Sequence, residues 1–398
     1  MTLRLLLSTC VALAACADAV PPRLVVRAGR LIDGSGGPIR EHVRVDIDRG
    51  NIVAIGADSD EQLVGTAAVA VIDARAGTVM PGIIDAHAHI LQGDPCVASS
   101  RPGIVAAARN LKGLLAAGVT TVADLGAPRA TAVGLRRYVG TGRGRGPRLL
   151  VSGPLLHVAT PEGGRAQVRD LAEGDVDFVG VAQREQAGAG VANESEDIAA
   201  LCAVTDEAHT QKLRAFAYGA SRGAYAAALE CKIDAFAFAP DESLPSDLIA
   251  RLVASHVPVA ATLPVAHAAA SLANALALAN AGVRVGMGTG DGLCGDSPGS
   301  PAPQLEQLAA SGMSPRAALT AATRGGAVAL GLGDALGQLS PGYRADLIVV
   351  DGRPDEQIGA VRKIRAVVID GIVQSSGAPL WWSTIVSALY VAWAKVAG

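Results

Sequence analysis

The stretch "PGIIDAHAHI", from Pro81 to Ile90, places two histidines at the end of an apolar strand. Side chains two residues apart in a strand point to the same face, so His87 and His89 present their imidazoles side by side. A catalytic zinc usually takes three protein ligands and keeps one open position. The pair is therefore half of a metal site that needs partners from elsewhere in the chain. The alternative is a polar pair at a surface or rim.

The same stretch marks a change in the strand pattern. Residues 23–80 read as short strands separated by turns, with antiparallel signals. After Pro81, eight apolar strands alternate with alanine-rich helical stretches over about 250 residues, which predicts a TIM (β/α)8 barrel over residues 81–337. Strand signals return after the barrel, so residues 23–80 and 338–375 are predicted to form one small β-sandwich. The predicted barrel strands are Gly82–Ile90, Gly118–Gly126, Arg148–Gly153, Val176–Ala182, Leu213–Gly219, Ile233–Ala239, Val257–Leu263 and Val283–Gly290.

The composition indicates a globular protein. Half of the 398 residues are hydrophobic and 18% are charged, which is ample for a large core. The formal net charge is −3, and the chain has no long basic runs or basic residues interleaved with aromatic ones. These features exclude nucleic acid as an expected partner.

The N-terminus has the layout of a secretory signal. "MTLRLLLSTCVALAAC" contains a basic Arg4, then an apolar run, then small residues. Its last four residues resemble a bacterial lipoprotein box, which implies cleavage within residues 1–16 and a lipid on Cys16. The expected location is the periplasmic side of a bacterial envelope, as a membrane-anchored lipoprotein. Simple secretion and an uncleaved apolar start are the alternatives.

The C-terminus predicts an amphipathic helix over residues 379–398. Its apolar stretch is too short to span a bilayer comfortably. The helix either lies in the membrane interface beside the lipid anchor or docks on the body or on a second subunit, so an oligomer stays open. Five apolar residues recur at helical spacing: Trp382, Ile385, Val386, Leu389 and Trp393.

Five segments, in order, resemble the metal-dependent amidohydrolase superfamily, and most closely its imidazolonepropionase and prolidase-like branch. The resemblance runs from about Leu24 to Gln374. It implies hydrolysis of amide or related C–N bonds by one or two divalent metals at the C-terminal end of the barrel. The segments are "LIDGSG", "VIDARAGTVMPGIIDAHAHI", "GVTTVADLG", "GMSPRAALTAATRGGAVALGLGDALGQLSPGYRADLIVVDGRP" and "VVIDG".

The resemblance also implies a ligand set. It consists of two histidines after the first strand, a carbamylated lysine or an acid on the fourth, a histidine on each of the fifth and sixth, and an aspartate on the eighth. His87 and His89 match the first pair. Matching the remaining strands to the family pattern places other residues at the expected positions, so we expect one metal ion at most, zinc or another divalent cation, or none. These substituted positions are Gly180, Tyr218, Phe238 and Gly290.

Asp291 follows Gly290 and is the candidate third ligand and proton shuttle. A shift of one residue turns a strand side chain to the opposite face unless the strand has ended or bulged. Cys96 and Cys294 follow the first and eighth strands, which are neighbours in a closed barrel. A disulfide between them, a substitute zinc site with the two histidines, and two free thiols all remain open. His157, after the third strand, is a further candidate for ligand contact.

Two functions from different classes follow. The first is a metal-dependent hydrolase of C–N bonds in a small amide or peptide-like ligand, with His87, His89 and Asp291 around one ion. The second is a catalytically inactive relative that acts as a binding or scaffold protein at the cell envelope. The four substituted ligand positions slightly favour the second.

Overall fold

A computed structural model describes residues 23–59, 69–91, 104–183, 194–262, 268–290 and 300–376. Strands dominate both ends of the described chain, and strands alternate with helices between them. The strands are β1 (Leu24–Leu31), β2 (Arg40–Asp48), β3 (Asn51–Ala57), β4 (Ala70–Pro81), β5 (Ile83–Ala88), β6 (Val119–Asp124), β7 (Arg148–Val151), β8 (Phe178–Ala182), β9 (Arg214–Tyr218), β10 (Ala235–Phe236), β11 (Val259–Ala261), β12 (Val285–Met287), β13 (Leu347–Val350), β14 (Ile364–Ile369) and β15 (Ile372–Ser376).

The helices follow the barrel strands along the chain. A π-helical turn, Ala321–Gly325, joins two short helices near the end of the barrel, and a 3₁₀ helix, Ile358–Arg362, precedes β14. The α-helices are α1 (Ile104–Ala116), α2 (Arg129–Gly140), α3 (Pro161–Glu173), α4 (Glu194–Thr210), α5 (Arg222–Glu230), α6 (Ser246–Ser255), α7 (Ala268–Asn280), α8 (Ala302–Ala310), α9 (Pro315–Thr320) and α10 (Gly326–Ala329).

The two ends of the chain meet in one seven-stranded sheet, in the order β15-β14-β13-β4-β1-β2-β3. β4 pairs in parallel with β1 on one side and antiparallel with β13 on the other. The C-terminal strands therefore extend the N-terminal sheet, and both chain ends contribute to one β-domain, as predicted. Two hairpin turns have positive φ: Arg49 and Gly50 supply it between β2 and β3, and Asp370 and Gly371 supply it between β14 and β15.

The barrel consists of the parallel strands β5 to β12, and the predicted TIM-barrel fold is confirmed. Each predicted barrel strand contains one of them. They form a three-stranded sheet, β5-β6-β7, and a five-stranded sheet, β12-β11-β10-β9-β8. A parallel bridge between Leu156 and Val181 joins the two sheets at one seam. At the other, the Gly290 amide donates to the His87 carbonyl at 2.8 Å.

The barrel interior is filled mainly by apolar side chains. Phe216 and Tyr218 alternate with outward-facing residues on β9 and belong to this inner cluster, together with Phe178 and Phe238. The Phe178 and Phe216 rings lie 4.9 Å apart between centroids. The aromatic rings of this cluster lie on the side of β8, β9 and β10.

A disulfide joins Cys202 in α4 to Cys231 at the end of α5. This pairing was not predicted from the sequence. Cys96 and Cys294, the predicted signal over residues 1–16 with Cys16, and the predicted helix over residues 379–398 all lie outside the described residues. Within the described ranges, every helix is too short or too polar to cross a membrane.

Candidate metal centre

His87 and His89 lie at the C-terminal end of β5, with 0% and 1% of their surface exposed. The Asp85 carboxylate holds this end of the strand in place. It accepts hydrogen bonds from the His87 amide at 3.2 Å and from the Thr289 amide and hydroxyl at 3.0 and 2.6 Å. The carboxylate thereby ties β5 to the segment that follows β12.

The hydrogen bonds of the two rings fix their tautomers. His87 Nδ1 lies 2.8 Å from the Ala237 carbonyl oxygen and 2.9 Å from Thr262 Oγ1. His89 Nδ1 lies 2.6 Å from the Leu125 carbonyl oxygen. A carbonyl oxygen only accepts, so each Nδ1 carries the hydrogen and each neutral ring keeps its lone pair on Nε2.

The two Nε2 atoms converge. They lie 3.1 Å apart, and the Tyr218 hydroxyl lies 3.2 Å from His89 Nε2, to which it donates. Two lone pairs at this separation repel each other unless a cation or a proton lies between them. Burial lowers the pKa of His89 to about 4, and burial together with His89 lowers the pKa of His87 well below its ordinary value. Both rings are therefore neutral at pH 7, the state in which imidazole binds metal.

Two aromatic rings close the space beside the histidines. The Phe238 centroid lies 4.9 Å from that of His87 and 4.6 Å from that of Tyr218. Burial raises the pKa of Tyr218 to about 12. The structure thus brings Tyr218 and Phe238, two of the predicted substituted positions, into contact with the histidine pair.

The two glycines at the other predicted positions contribute backbone only. A Cβ on Gly180 would lie 2.7 Å from Leu155 Cδ2, so Leu155 occupies the space beside β8. Gly290 has a φ of +64°, which suits glycine, and lies beyond the end of β12. Asp291, the predicted third ligand, lies outside the described residues. His157 is exposed in the loop after β7.

Asp124 is a buried carboxyl group beside the histidines that was not among the predicted site residues. It ends β6, and its Oδ1 accepts from the Ile90 amide at 3.0 Å, directly after His89. Burial raises its pKa to about 7, against the opposing effect of backbone hydrogen bonds from Ile90 and Leu91. The sequence feature that could have identified Asp124 is its position at the end of the apolar strand in "GVTTVADLG".

Among the described residues, the two histidines are the metal-binding side chains that the structure brings together at this end of the barrel. Within the described ranges, no group of three or more histidine, cysteine, aspartate or glutamate side chains is placed to hold a metal. The pair His87 and His89 nevertheless has what metal-binding imidazoles need, because each Nδ1–H is held by a backbone carbonyl and each Nε2 is free of hydrogen.

The amidohydrolase family model matches residues 78–373, which cover the whole barrel and the strands that flank it. The chain belongs to the amidohydrolase family. The resemblance found in the sequence is thereby confirmed. Members of this family generally use divalent metals, which agrees with the character of the histidine pair. No curated protein sequence matches the chain.

Solved structures share the fold. A Xaa-Pro dipeptidase with bound methionine superimposes with a TM-score of 0.76 at 20% identity, covering 89% of this chain and 100% of that one. Molinate hydrolase gives 0.76 at 21% identity, covering 89% and 94%. A prolidase complexed with N-methylphosphonate-L-proline gives 0.76 at 24% identity, covering 88% and 99%.

Proposed function

We propose that this protein is a hydrolase of amide or related C–N bonds that uses a single divalent metal ion, zinc or another, held by His87 and His89. The observation that carries the proposal is the pair of Nε2 atoms 3.1 Å apart. Each ring donates its Nδ1–H to a carbonyl, so neither Nε2 can donate to the other. A buried pair of facing lone pairs is the arrangement that a cation satisfies.

The described residues have distinct roles in this proposal. A bound ion supplies Lewis acidity and an activated water. The Leu125 and Ala237 carbonyls orient the two imidazoles, and Asp85 fixes the end of β5. Asp291 remains the proposed further ligand and proton shuttle, in the segment that follows Gly290.

The substrate class is a small amide or peptide-like molecule. Three structural neighbours are a Xaa-Pro dipeptidase, molinate hydrolase and a prolidase, and these support small substrates of this kind. The apolar barrel interior, with Phe178, Phe216 and Phe238, favours an apolar group on the substrate.

We also propose that the protein acts outside the cytoplasm, anchored through a lipid on Cys16 with the C-terminal helix at the membrane or on the body. The layout of residues 1–16 supports export. The disulfide between Cys202 and Cys231 agrees with an oxidising compartment, where such bonds persist.

A second candidate function is ligand binding without hydrolysis, at the cell envelope. The observation that favours it is the packing of Tyr218 and Phe238 against the histidines, with Phe238 and His87 centroids 4.9 Å apart. These rings take the places where the family's other imidazoles are expected. Such a protein would bind a small amide or peptide-like ligand and leave it intact.

The test starts with protein purified without added metal. We expect about one equivalent of zinc or another divalent ion, a lower melting temperature in chelator, and turnover of some members of a panel of N-acyl amino acids and dipeptides. Metal-free protein that zinc does not stabilise contradicts the proposal. Metal-loaded protein that binds panel members without turnover supports the second candidate.

A further inference from the structure

We propose that the Tyr218 oxygen is the third ligand of the single ion, bound as a phenolate beside His87 and His89, which leaves Asp291 the role of proton shuttle and the fourth position open for water. This inference rests on the proposed function, because it assumes that the histidine pair holds an ion. It assigns a tyrosine, on β9, to a ligand role, and it makes the site two nitrogens and one oxygen from the described residues.

The spacing of the donor atoms carries the inference. The His87 and His89 Nε2 atoms lie 3.1 Å apart, and the Tyr218 hydroxyl oxygen lies 3.2 Å from His89 Nε2. Ligand atoms bound to one tetrahedral zinc at about 2.0–2.1 Å lie roughly 3.3 Å from each other. Both separations match those expected of neighbouring ligands on one ion.

The orientation of the ring agrees with this role. Tyr218 meets both imidazoles edge-on, with interplanar angles of 74°. Its centroid lies 5.4 Å from that of His87 and 6.1 Å from that of His89, and its hydroxyl oxygen lies 3.2 Å from His89 Nε2. Phe238, on the adjacent side, packs its ring against that of Tyr218 at 4.6 Å and restricts its movement.

Metal binding at His89 takes away the hydrogen-bond acceptor of the Tyr218 hydroxyl. Among the described residues, the Tyr218 hydroxyl hydrogen bonds to His89 Nε2. An ion on that nitrogen takes the lone pair that accepts the phenolic hydrogen. The buried hydroxyl then needs a new partner, because an unsatisfied buried polar group is costly, and the ion on His89 Nε2 lies within its reach. Tyr225 differs, because its hydroxyl donates to the Phe238 carbonyl at 2.6 Å, which an ion at the histidines leaves in place.

The step balances without a redox partner. The phenolic O–H bond breaks, its proton leaves to solvent, and the oxygen lone pair forms the bond to the metal. The oxidation state of the metal does not change. A bound cation favours the deprotonated form of its ligands, as it does for a thiol or a water.

The experiment follows zinc binding to the metal-free full-length protein by ultraviolet difference spectroscopy and by proton release. We expect a tyrosinate difference band that saturates at one zinc per chain. Tyr218→Phe, which removes only the oxygen, should lose the band and weaken zinc binding at least about tenfold. Tyr218→His should keep tight binding without the band, because it replaces one donor with another. Tyr225→Phe is the matched buried control and should keep the band.

The outcomes separate this inference from the proposed function. If wild-type protein binds zinc through His87 but shows no tyrosinate band, and Tyr218→Phe binds as tightly, the tyrosine ligand is wrong and the histidine site stands. If wild-type protein binds no zinc, or His87→Ala binds it equally well, both proposals are wrong. The melting temperature of Tyr218→Phe without metal establishes that the variant is folded.

Discussion

The two sides of the barrel mouth differ in chemistry. On the β5 side, His87 and His89 present convergent nitrogens. On the side of β8 to β10 lie Gly180, Tyr218 and Phe238, which were predicted to be substituted ligand positions, and apolar packing dominates. Yet the apolar side still supports the polar one, because the Ala237 carbonyl next to Phe238 accepts from His87 Nδ1. The orientation of the imidazoles depends on main-chain groups, which survive when side chains on the same strands are replaced.

The largest expected effect is on metal affinity, and it comes from removing an imidazole from the β5 side of the barrel mouth. His87→Ala deletes one of two convergent nitrogens, so metal affinity should fall by more than the roughly 10–100-fold typical of losing a supporting residue. Equilibrium dialysis against a metal buffer measures the change. His209→Ala is the matched control, because this helix residue pairs with Asp234 away from the site. Unchanged affinity in His87→Ala would mean that the metal binds elsewhere.

The second prediction concerns Asp124, which holds the chain directly after His89 and should make the stability of the protein depend on pH. Its pKa is raised in the folded protein to about 7, so the folded state holds a proton that the unfolded state releases near pH 4. Stability of the wild type should therefore fall as pH rises from about 4 to about 7, by up to about 1.4 kcal/mol per pH unit relative to Asp124→Asn.

Urea unfolding of both proteins across this pH range measures the difference. The asparagine side chain keeps an oxygen that can accept from the Ile90 amide, but it also brings two amide hydrogens that the carboxyl group lacks. A difference in unfolding free energy that is the same at every pH reports these amide hydrogens. Only the pH-dependent part reports the carboxyl group. Parallel curves over the whole range would show that Asp124 titrates as an ordinary carboxyl group.

Introducing an imidazole on the side of β8 to β10 should make the two sides of the barrel mouth more alike in metal binding. The Phe238 ring lies 4.9 Å from that of His87, so Phe238→His brings a new nitrogen near the pair. We expect metal affinity to rise about tenfold, measured by competition with a chromophoric chelator. Phe216→His, deeper in the same interior, is the control and should lower stability without strengthening binding. No gain in Phe238→His would show that the packing there excludes the metal.

Sequence patterns predicted the barrel well because each strand is a local apolar run. They did not predict the parallel pairing of β1 with β4, since a pairing between distant strands leaves no local signal. The disulfide between Cys202 and Cys231 was missed for a similar reason, because connectivity does not follow from spacing. At the site, the spacing of His87 and His89 predicted neighbouring imidazoles. Their carbonyl partners could not be predicted, because any residue supplies a carbonyl.

The smallest expected effect concerns the side chain that contacts His87 Nδ1. Thr262 Oγ1 lies 2.9 Å from His87 Nδ1, which the Ala237 carbonyl also holds at 2.8 Å. Thr262→Val keeps the shape and removes the oxygen, so metal affinity should fall by less than about tenfold, because the carbonyl alone maintains the tautomer. Thr205→Val, whose hydroxyl donates to the Leu201 carbonyl within α4, is the matched control for stability. A fall as large as that of His87→Ala would show that the side chain, and not the main chain, orients the ring.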